Sequence, residues 1–216
     1  MWRYAESVEV VGDGWERVSL SVVWHGVPQG MVGDTVVPLG QLRSVDPDLY
    51  EMQKAKYAGR EAVLDYQIPL LSCGFLDTVH CSSVHPHKIY RARKEAGFDV
   101  PSRSDTGWGI GLAFEIPLER ILVNRTAWYS WRTPWVNGYP YEDVPGEPPS
   151  DEFEDCDPAR YTPLPDVPDR HRLYLARMRE ERRRPLTFVH IPHVLVAGAI
   201  DIRDCRIVRW DEAIEQ

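Results

Sequence analysis

The tripeptide Val84-His85-Pro86 restricts the fold of this chain more than any other sequence feature. Proline has a fixed φ and no backbone N–H, so it suits the first turn of a helix and ends a strand. Apolar and β-branched residues precede the tripeptide from Ile68 onward, and a segment that closes at Gly97 follows it. Residues 68–98 therefore predict a strand that passes directly into a helix.

Polar side chains with versatile chemistry are concentrated at this predicted junction. They are His80, Cys81, Ser82, Ser83 and His85. Folds that combine strands and helices often place binding and catalytic groups where a strand ends. This junction is therefore the candidate functional site.

Further strands and helices are indicated on both sides of the junction. Asp46-Pro47 provides an N-cap and a first-turn proline, which open a helix. The predicted helices are 46–57, 86–97 and 166–184, and the predicted strands are 18–24 (entered from a turn at 12–14), 113–117, 118–123, two within 186–202 bent at Pro192, and 205–210 at a sheet edge. Mostly short strands with about three helices predict an α+β fold.

The composition is that of a globular chain that can bury a full core. With 216 residues and 43% hydrophobic residues, we expect a single domain over residues 1–216. The first residues lack the pattern of a signal peptide, and no apolar run approaches the roughly 18 residues of a membrane span. The four cysteines are far apart with no CxxC spacing, which favours reduced thiols. These features predict a cytoplasmic protein without membrane contact.

The charge balance bears on nucleic-acid binding. A net charge of −8 disfavours nonspecific binding to phosphate backbones. The arginines of residues 177–184 are a local exception, but the acidic residues of 142–157 precede them and can neutralise them. We expect this arginine-rich segment to be a solvated face.

Residues 127–165 form a proline-rich insert whose first half is aromatic and whose second half is acidic. The aromatic and arginine side chains are Trp128, Trp131, Arg132, Trp135, Tyr139 and Tyr141. Disordered segments seldom contain so many aromatic residues. We therefore expect the aromatic half to pack on the body of the protein and the acidic half to form a solvated loop.

A metal site is one hypothesis for the histidines. Zinc or iron requires three or four convergent ligands, and the available histidines are His80, His85, His87, His190 and His193. Pro86 and Pro192 interrupt the two pairs, and the sequence contains no HExxH motif. Packing or surface roles are favoured, and no metal ligand is assigned.

Nucleophilic catalysis by Ser82, Ser83 or Cys81 is a second hypothesis. A hydroxyl nucleophile needs a base within hydrogen-bond reach and a group that orients the base. The sequence has no G-x-S-x-G elbow, and serines before a helix commonly bond backbone groups. The capping role is the favoured interpretation.

A nucleotide site built on a glycine loop has little support. The sequence has neither a G-x-G-x-x-G motif after a strand nor a Walker A motif. Residues 107–111 are glycine-rich but follow Ser-Asp-Thr, and they predict a turn into the next strand.

Three segments carry a resemblance to other proteins. They are KYAGRE at 56–61, IPLLSCGFLDTVHCSSVHPHKIYRARKEAGF at 68–98 and RRPLTFVHIPHVLVAGAIDI at 183–202. From Val23 to Ile202 the chain resembles a family of uncharacterised bacterial proteins, labelled group-specific or hypothetical, with a pattern like IP-L-C-WNDV-H-S-VHP. This resemblance implies no particular activity.

A second resemblance is to ADP-ribosyltransferase folds, especially the DarT-type toxins that modify DNA. Val23-Trp24-His25-Gly26 is similar to their first, histidine-containing strand, and residues 84–90 are similar to their x-P-x-x-h-Y segment. Residues 186–200 have the shape of their late strand, which carries the catalytic glutamate. Here Thr187-Phe188 stands where that glutamate is expected.

The second resemblance implies a split β-sheet core that binds NAD+ or a related nucleotide and cleaves its N-glycosidic bond. The cofactor-binding residues that it implies are His25, Gly26, His80, His85 and Tyr90. Ser82 and Ser83 would support the nicotinamide pocket. Glu115 is the candidate replacement for the missing glutamate, which stabilises positive charge on the ribose in the transition state. Residues 128–141 would form a lid or a target-recognition loop.

Two alternatives from other functional classes stay open. The first is a noncatalytic protein-interaction or immunity-type module that uses residues 128–141 as its contact surface, since Trp, Tyr and Arg are the usual interface anchors. The second is a histidine-ligated metalloenzyme.

Overall fold

The structure is a computed structural model of the chain, and it describes residues 21–59, 61–99, 111–132, 135–136, 139–140 and 150–213. The predicted turn at 12–14, the start of the predicted strand 18–24 and most of the glycine-rich turn at 107–111 lie outside these residues. So do the side chains of Trp135, Tyr139 and Tyr141.

Thirteen strands occur in the described residues. They are β1 Val22–Gly26, β2 Thr35–Val36, β3 Gln67–Ile68, β4 Cys73–Gly74, β5 Thr78–Ser82, β6 Leu112–Pro117, β7 Arg125–Tyr129, β8 Trp135–Val136, β9 Tyr139–Pro140, β10 Phe153–Asp155, β11 His193–Ala197, β12 Ile200–Asp201 and β13 Arg206–Arg209.

Five α-helices and several short 3-10 helices accompany these strands in the described residues. The α-helices are α1 Leu39–Val45, α2 Pro47–Lys54, α3 Pro86–Glu95, α4 Leu118–Ile121 and α5 Asp169–Glu180. The 3-10 helices are Ala55–Tyr57, Glu61–Asp65, Pro69–Leu71, Phe75–Asp77 and Ser150–Glu152. None of the described helices combines the length and apolar character needed to cross a membrane.

Seven of the strands form one antiparallel sheet in the order β10-β7-β11-β5-β1-β6-β13. Sheet and helices together confirm the predicted α+β class. Strand β13 lies at the edge of the sheet, as residues 205–210 predict. The aromatic/acidic segment 127–165 supplies most of β7 and all of β10, so part of it belongs to the main sheet.

The predicted strand-to-helix junction is present between β5 and α3. The backbone N–H of His87 donates to His85 Nδ1 at 3.1 Å, so His85 caps the helix, and Pro86 occupies its first position. The helix is followed by Gly97, whose φ of +80° favours glycine. Helix α2 starts in the same way, because Asp46 Oδ1 accepts from the Leu49 N–H at 3.0 Å ahead of Pro47.

The sheet buries both of its faces. Adjacent residues of a strand point to opposite faces, and accordingly Val23 and Trp24 belong to two different apolar clusters. The Trp24 cluster includes Ile89 of α3 and Leu175 of α5, so both helices pack on that face. The Val23 cluster includes Val36, where the short β2–β12 ladder covers the sheet.

Three details of the secondary-structure prediction are wrong. Residues 118–121 form α4 and not a strand, because Leu118 and Ile121, three positions apart, bury one helical face. Residues 186–192 precede β11 without forming a strand, and His190 there has φ +57°. Helix α5 is shorter than the predicted 166–184, since Pro168 occupies its N-cap and Arg182 beyond its end has φ +54°.

Candidate functional site

A cavity of about 1150 Å³ opens where the two central strands of the sheet separate. Strand β1 shares one register pair with β5, Trp24 with Ser82, while it stays paired with β6 as far as Gly26. Beyond Trp24, the two central strands therefore diverge within the sheet. The volume slightly exceeds the roughly 300–1,000 Å³ of typical small-molecule pockets.

Three histidines from three neighbouring strands line this cavity. His25 lies on β1, His80 on β5 and His193 at the start of β11. His25 Nδ1 lies 2.8 Å from the His80 carbonyl oxygen, and His80 Nδ1 lies 3.2 Å from His193 Nε2. We refer to His25, His80 and His193 as the histidine row.

Carbonyl contacts fix the tautomers of the two outer members of the row. A carbonyl oxygen only accepts hydrogen bonds, so His25 Nδ1 carries a hydrogen. His193 Nδ1 lies 2.7 Å from the Ile191 carbonyl oxygen and must also be a donor. In the neutral rings of His25 and His193, Nε2 is consequently a hydrogen-bond acceptor. His25 lines the cavity.

Burial keeps the histidine row neutral. It lowers the pKa of His193 to about 4, against the opposing bond to the Ile191 carbonyl. It also lowers the pKa of His25 to about 4, and the Lys56 charge acts in the same direction. Burial and then the neighbouring His193 hold the pKa of His80 well below its usual value. All three rings thus have a lone pair available at neutral pH.

A cation lies on the same side of the cavity. Lys56 Nζ donates to Gln53 Oε1, and both residues line the cavity. Burial lowers the pKa of Lys56. Its charge also contributes to lowering the pKa of His25, which lines the same cavity.

Four buried hydrogen-bond donors on lining residues have no acceptor among the described residues. They are Gln53 Nε2, Arg93 Nε, Trp131 Nε1 and Trp210 Nε1. Each of these residues is at least nine-tenths buried. A buried donor without a partner costs about 1–3 kcal/mol, and these four atoms are themselves shielded from solvent, so they do not present hydrogens to the cavity.

The structure divides the predicted cofactor-binding residues into two groups. His25, Gly26 and His80 line the cavity. His85 and Tyr90 are not among its described lining residues. His85 caps α3 and contacts the Trp24 ring at 5.3 Å between centroids, and Tyr90 stands beside His87 on the same helix.

The hydroxyls predicted as catalytic are bonded to the backbone. Ser82 Oγ donates to the Val84 carbonyl at 2.9 Å and accepts from the Val84 N–H at 2.9 Å. Ser83 Oγ donates to the Pro192 carbonyl at 2.5 Å. Both serines are buried and lie outside the described cavity lining. Their geometry is that of side chains that satisfy backbone groups, while His85 caps the helix.

Glu115 is also outside the described cavity lining. It lies on β6, where Trp24 Nε1 donates to its Oε2 at 3.3 Å. Arg206 Nη1 lies 3.7 Å from its Oε1. Glu115 is next to Phe114, the register partner of His25, but it is not among the described residues that line the cavity.

The described part of the aromatic segment packs into the protein. Trp131 is 6% exposed, Tyr129 is 4% exposed, and their rings stack at 5.0 Å. Trp128 is partly buried and meets the Tyr161 ring edge-on at 5.9 Å. Arg132 is exposed and pairs with Asp151 at 3.9 Å.

The metal-site hypothesis finds no support in the arrangement of the histidines. His25 bonds the His80 carbonyl and His80 bonds His193. Within the described residues, no three or more His, Cys, Asp or Glu side chains are arranged to hold a metal ion. His85 and His87 lie at the start of α3, away from His80 and His193.

Four residues of the site were missed as site residues from the sequence: Gln53, Lys56, Thr78 and His193. Thr78 and His80 are two positions apart on a strand, and this spacing alone predicts that they share a face. His193 was considered only as a possible metal ligand. Gln53 on α2 and Lys56 on the 3-10 helix that follows it carry no local signal, because only the tertiary fold brings them to the cavity.

Comparison with known proteins adds no relative, since no protein-family model, curated protein or solved structure matches this chain. The function of the protein is therefore inferred from the geometry of the site.

Proposed function

We propose that the chain has an ADP-ribosyltransferase-like core and binds NAD+ or a related nucleotide in the cavity beside the histidine row. The observation that carries this proposal is the cavity of about 1150 Å³ at the point where β1 leaves β5, which is lined by the histidine row and by Lys56. Lysine ammonium groups bind phosphate oxygens, and imidazole nitrogens exchange hydrogen bonds with ribose hydroxyls.

The size and charge of the cavity also support a nucleotide. A volume of about 1150 Å³ accommodates two nucleoside units. Lys56 provides a partly desolvated positive charge, which interacts more strongly with a phosphate than an exposed lysine does. His25 offers an Nε2 acceptor suited to a ribose hydroxyl donor.

The separation of β1 from β5 supports the ADP-ribosyltransferase-like part of the proposal. That resemblance implies a split sheet with a histidine on its first strand, and His25 is located on β1 where it leaves β5. Cleavage of the N-glycosidic bond by Glu115 is not part of the proposal, because Glu115 lies away from the cavity.

A thermal melt with and without millimolar NAD+ tests the proposal. A ligand that binds the native state at about 100 times its Kd stabilises it by about 2.7 kcal/mol. For a chain of this length, that corresponds to a rise of about 5–10 °C in the melting temperature. ADP-ribose and ATP, tested in parallel, separate recognition of the diphosphate from recognition of nicotinamide.

Two lysine variants make the test site-specific. Lys56→Met should remove most of the rise, because the cation beside the histidine row is lost. Lys94→Met is the matched control, since Lys94 is an exposed residue of α3 outside the described lining. No rise with any of the three nucleotides, or an equal rise in Lys56→Met, would show that the proposal is wrong.

A further inference from the structure

A continuous chain of hydrogen bonds runs through Thr78, His80 and His193. Thr78 Oγ1 lies 3.0 Å from the Phe75 carbonyl oxygen and 3.1 Å from His80 Nε2. His80 Nδ1 continues the chain to His193 Nε2 at 3.2 Å, and His193 Nδ1 ends it at the Ile191 carbonyl at 2.7 Å. Both ends of the chain are carbonyl oxygens, which only accept.

The direction of each bond follows from the Ile191 end. His193 donates from Nδ1 to the Ile191 carbonyl, so its Nε2 accepts from His80 Nδ1–H. Neutral His80 then has its lone pair on Nε2, facing the Thr78 hydroxyl. The Thr78 hydroxyl donates its one hydrogen to the Phe75 carbonyl, and rotation about the Cβ–Oγ1 bond would direct that hydrogen to His80 Nε2, 3.1 Å away.

In its neutral state, the hydrogen-bond network has three hydrogens for four contacts, which are Phe75–Thr78, Thr78–His80, His80–His193 and His193–Ile191. The three are the Thr78 hydroxyl hydrogen and one ring hydrogen on each of His80 and His193. A proton moved from Thr78 to His80 leaves the imidazolium donating from both nitrogens. The network is thus built to accept the hydroxyl proton on His80.

We propose that Thr78 is a nucleophile, with His80 as its general base and His193 as a positioning residue that holds the His80 tautomer. The arrangement supplies a hydroxyl, a base within hydrogen-bond distance and a group that orients the base, which is the requirement for an activated hydroxyl. All three residues line the cavity. Burial holds the pKa of His80 well below its usual value, so the ring is neutral before the reaction.

The electrophile follows from the proposed nucleotide, and this step rests on the proposed function. The ammonium group of Lys56 on the lining that it shares with the histidine row favours a phosphoryl centre, where negative charge is spread over oxygen atoms. The substrate class is therefore a nucleotide with a phosphoanhydride or phosphodiester linkage. The ring of Phe75, 4.1 Å from the His80 ring between centroids, shields one side of the base from solvent.

The transfer step balances within this set of groups. Thr78 Oγ1 forms a bond to phosphorus as its proton moves to His80 Nε2, and the P–O bond to the leaving nucleotide breaks. That leaving oxygen takes the proton from His80. Water then attacks phosphorus as its proton moves to His80 Nε2, the bond from phosphorus to Thr78 Oγ1 breaks, and Thr78 Oγ1 takes the proton from His80 as the phosphate is released.

Covalent labelling with a fluorophosphonate tests the nucleophile without relying on the natural substrate. In this reaction the Thr78 Oγ1–P bond forms, the P–F bond breaks, and the hydroxyl proton leaves through His80. We expect one adduct per chain in the intact mass, located on the peptide that contains Thr78. Thr78→Val should abolish the adduct, and Thr78→Ser should retain it.

The roles of the two histidines are separated by further variants. His80→Gln should slow labelling by at least about a hundredfold, the lower end of general-base contributions. His193→Leu removes the acceptor of the His80 N–H and should also slow labelling. His193→Gln restores an acceptor oxygen and should recover much of the rate, which a purely structural role for the ring does not predict.

Ser44→Ala is the matched hydroxyl control, because Ser44 is exposed on α1 and its hydroxyl bonds the Gln41 carbonyl. An adduct that persists in Thr78→Val, or no adduct in the wild-type protein, would overturn the assignment. The melts with NAD+ keep the two proposals distinguishable. A rise in melting temperature without labelling contradicts the nucleophile alone, and Thr78-dependent labelling without a rise contradicts the nucleotide alone.

Discussion

The two ends of β5 carry similar side chains but differ in what surrounds them. At the first end, Thr78 and His80 line the cavity where β1 has separated from β5. At the last end, Ser82 is opposite Trp24 of β1 and both hydrogen-bonding capacities of its hydroxyl go to Val84. The Ser82 hydroxyl thus bonds only the backbone, whereas the Thr78 hydroxyl bonds the Phe75 carbonyl and also lies 3.1 Å from His80 Nε2.

The difference has a physical origin in the turn that follows β5. The chain leaves the sheet at Ser83 and enters α3 at Pro86, which cannot donate a hydrogen bond. Backbone groups in that turn need partners, and the serine hydroxyls provide them. At the Thr78 end, the hydroxyl donates to the Phe75 carbonyl and also lies within hydrogen-bond distance of His80 Nε2.

The largest expected effect is a loss of folding stability at acid pH, caused by His193 beside the cavity end of β5. Unfolded histidines have a pKa of about 6.5, while His193 in the fold has a pKa of about 4. Between those values, the unfolded chain binds a proton that the native state does not, so stability falls as the pH falls from about 6.5 to about 4 and is fully present above about 6.5. For His193 alone the loss is on the order of 1–3 kcal/mol.

Urea denaturation of the wild type and of His193→Gln at pH 7.5 and pH 4.5 measures this effect. The drop in the free energy of unfolding between the two pH values should be smaller in the variant by that amount. An identical drop in both proteins would show that His193 is not held neutral by the fold.

A smaller effect is expected at the serine end. Ser82→Ala leaves the N–H and C=O of Val84 without their hydroxyl partner in a buried turn. The free energy of unfolding should fall by about 1–2 kcal/mol, while the rise in melting temperature with NAD+ should be the same as in the wild type. Loss of the rise in melting temperature with NAD+ would place Ser82 in the ligand site. The two ends of β5 would then not differ in ligand binding.

The smallest effect is expected for Glu115→Gln. The amide oxygen still accepts from Trp24 Nε1, and the ion pair with Arg206 is weak because the Arg206 side chain is 75% exposed. Stability should change by less than about 1 kcal/mol, with an unchanged response to NAD+. Loss of nucleotide turnover in this variant would instead show that Glu115 acts as in ADP-ribosyltransferases.

Local sequence rules predicted the elements that local chemistry determines. Asp46-Pro47 and His85-Pro86 mark the starts of α2 and α3, and Gly97 follows the end of α3, because caps and prolines act over a few residues. The 118–121 segment was misassigned since a β-branched, apolar run fits a strand as well as a short buried helix.

The site was predictable only in part. Three of its lining residues, His25, Gly26 and His80, were found through the resemblance and the junction. His193 joins them from 113 positions further along the chain, through the β5–β11 register. A contact over that separation leaves no periodic or motif signal in a single sequence.

The uneven pairing at the middle of the sheet has a consequence for how the molecule opens. Strand β1 shares five register pairs with β6 and one with β5, while β5 shares five with β11. The strand pair with the fewest register pairs, β1 with β5, is therefore in the interior of the sheet and not at an edge. In native-state amide exchange, β1 and β6 should form one cooperative unit and β5 and β11 another. Partial unfolding would then expose the interior between these units before either of them melts.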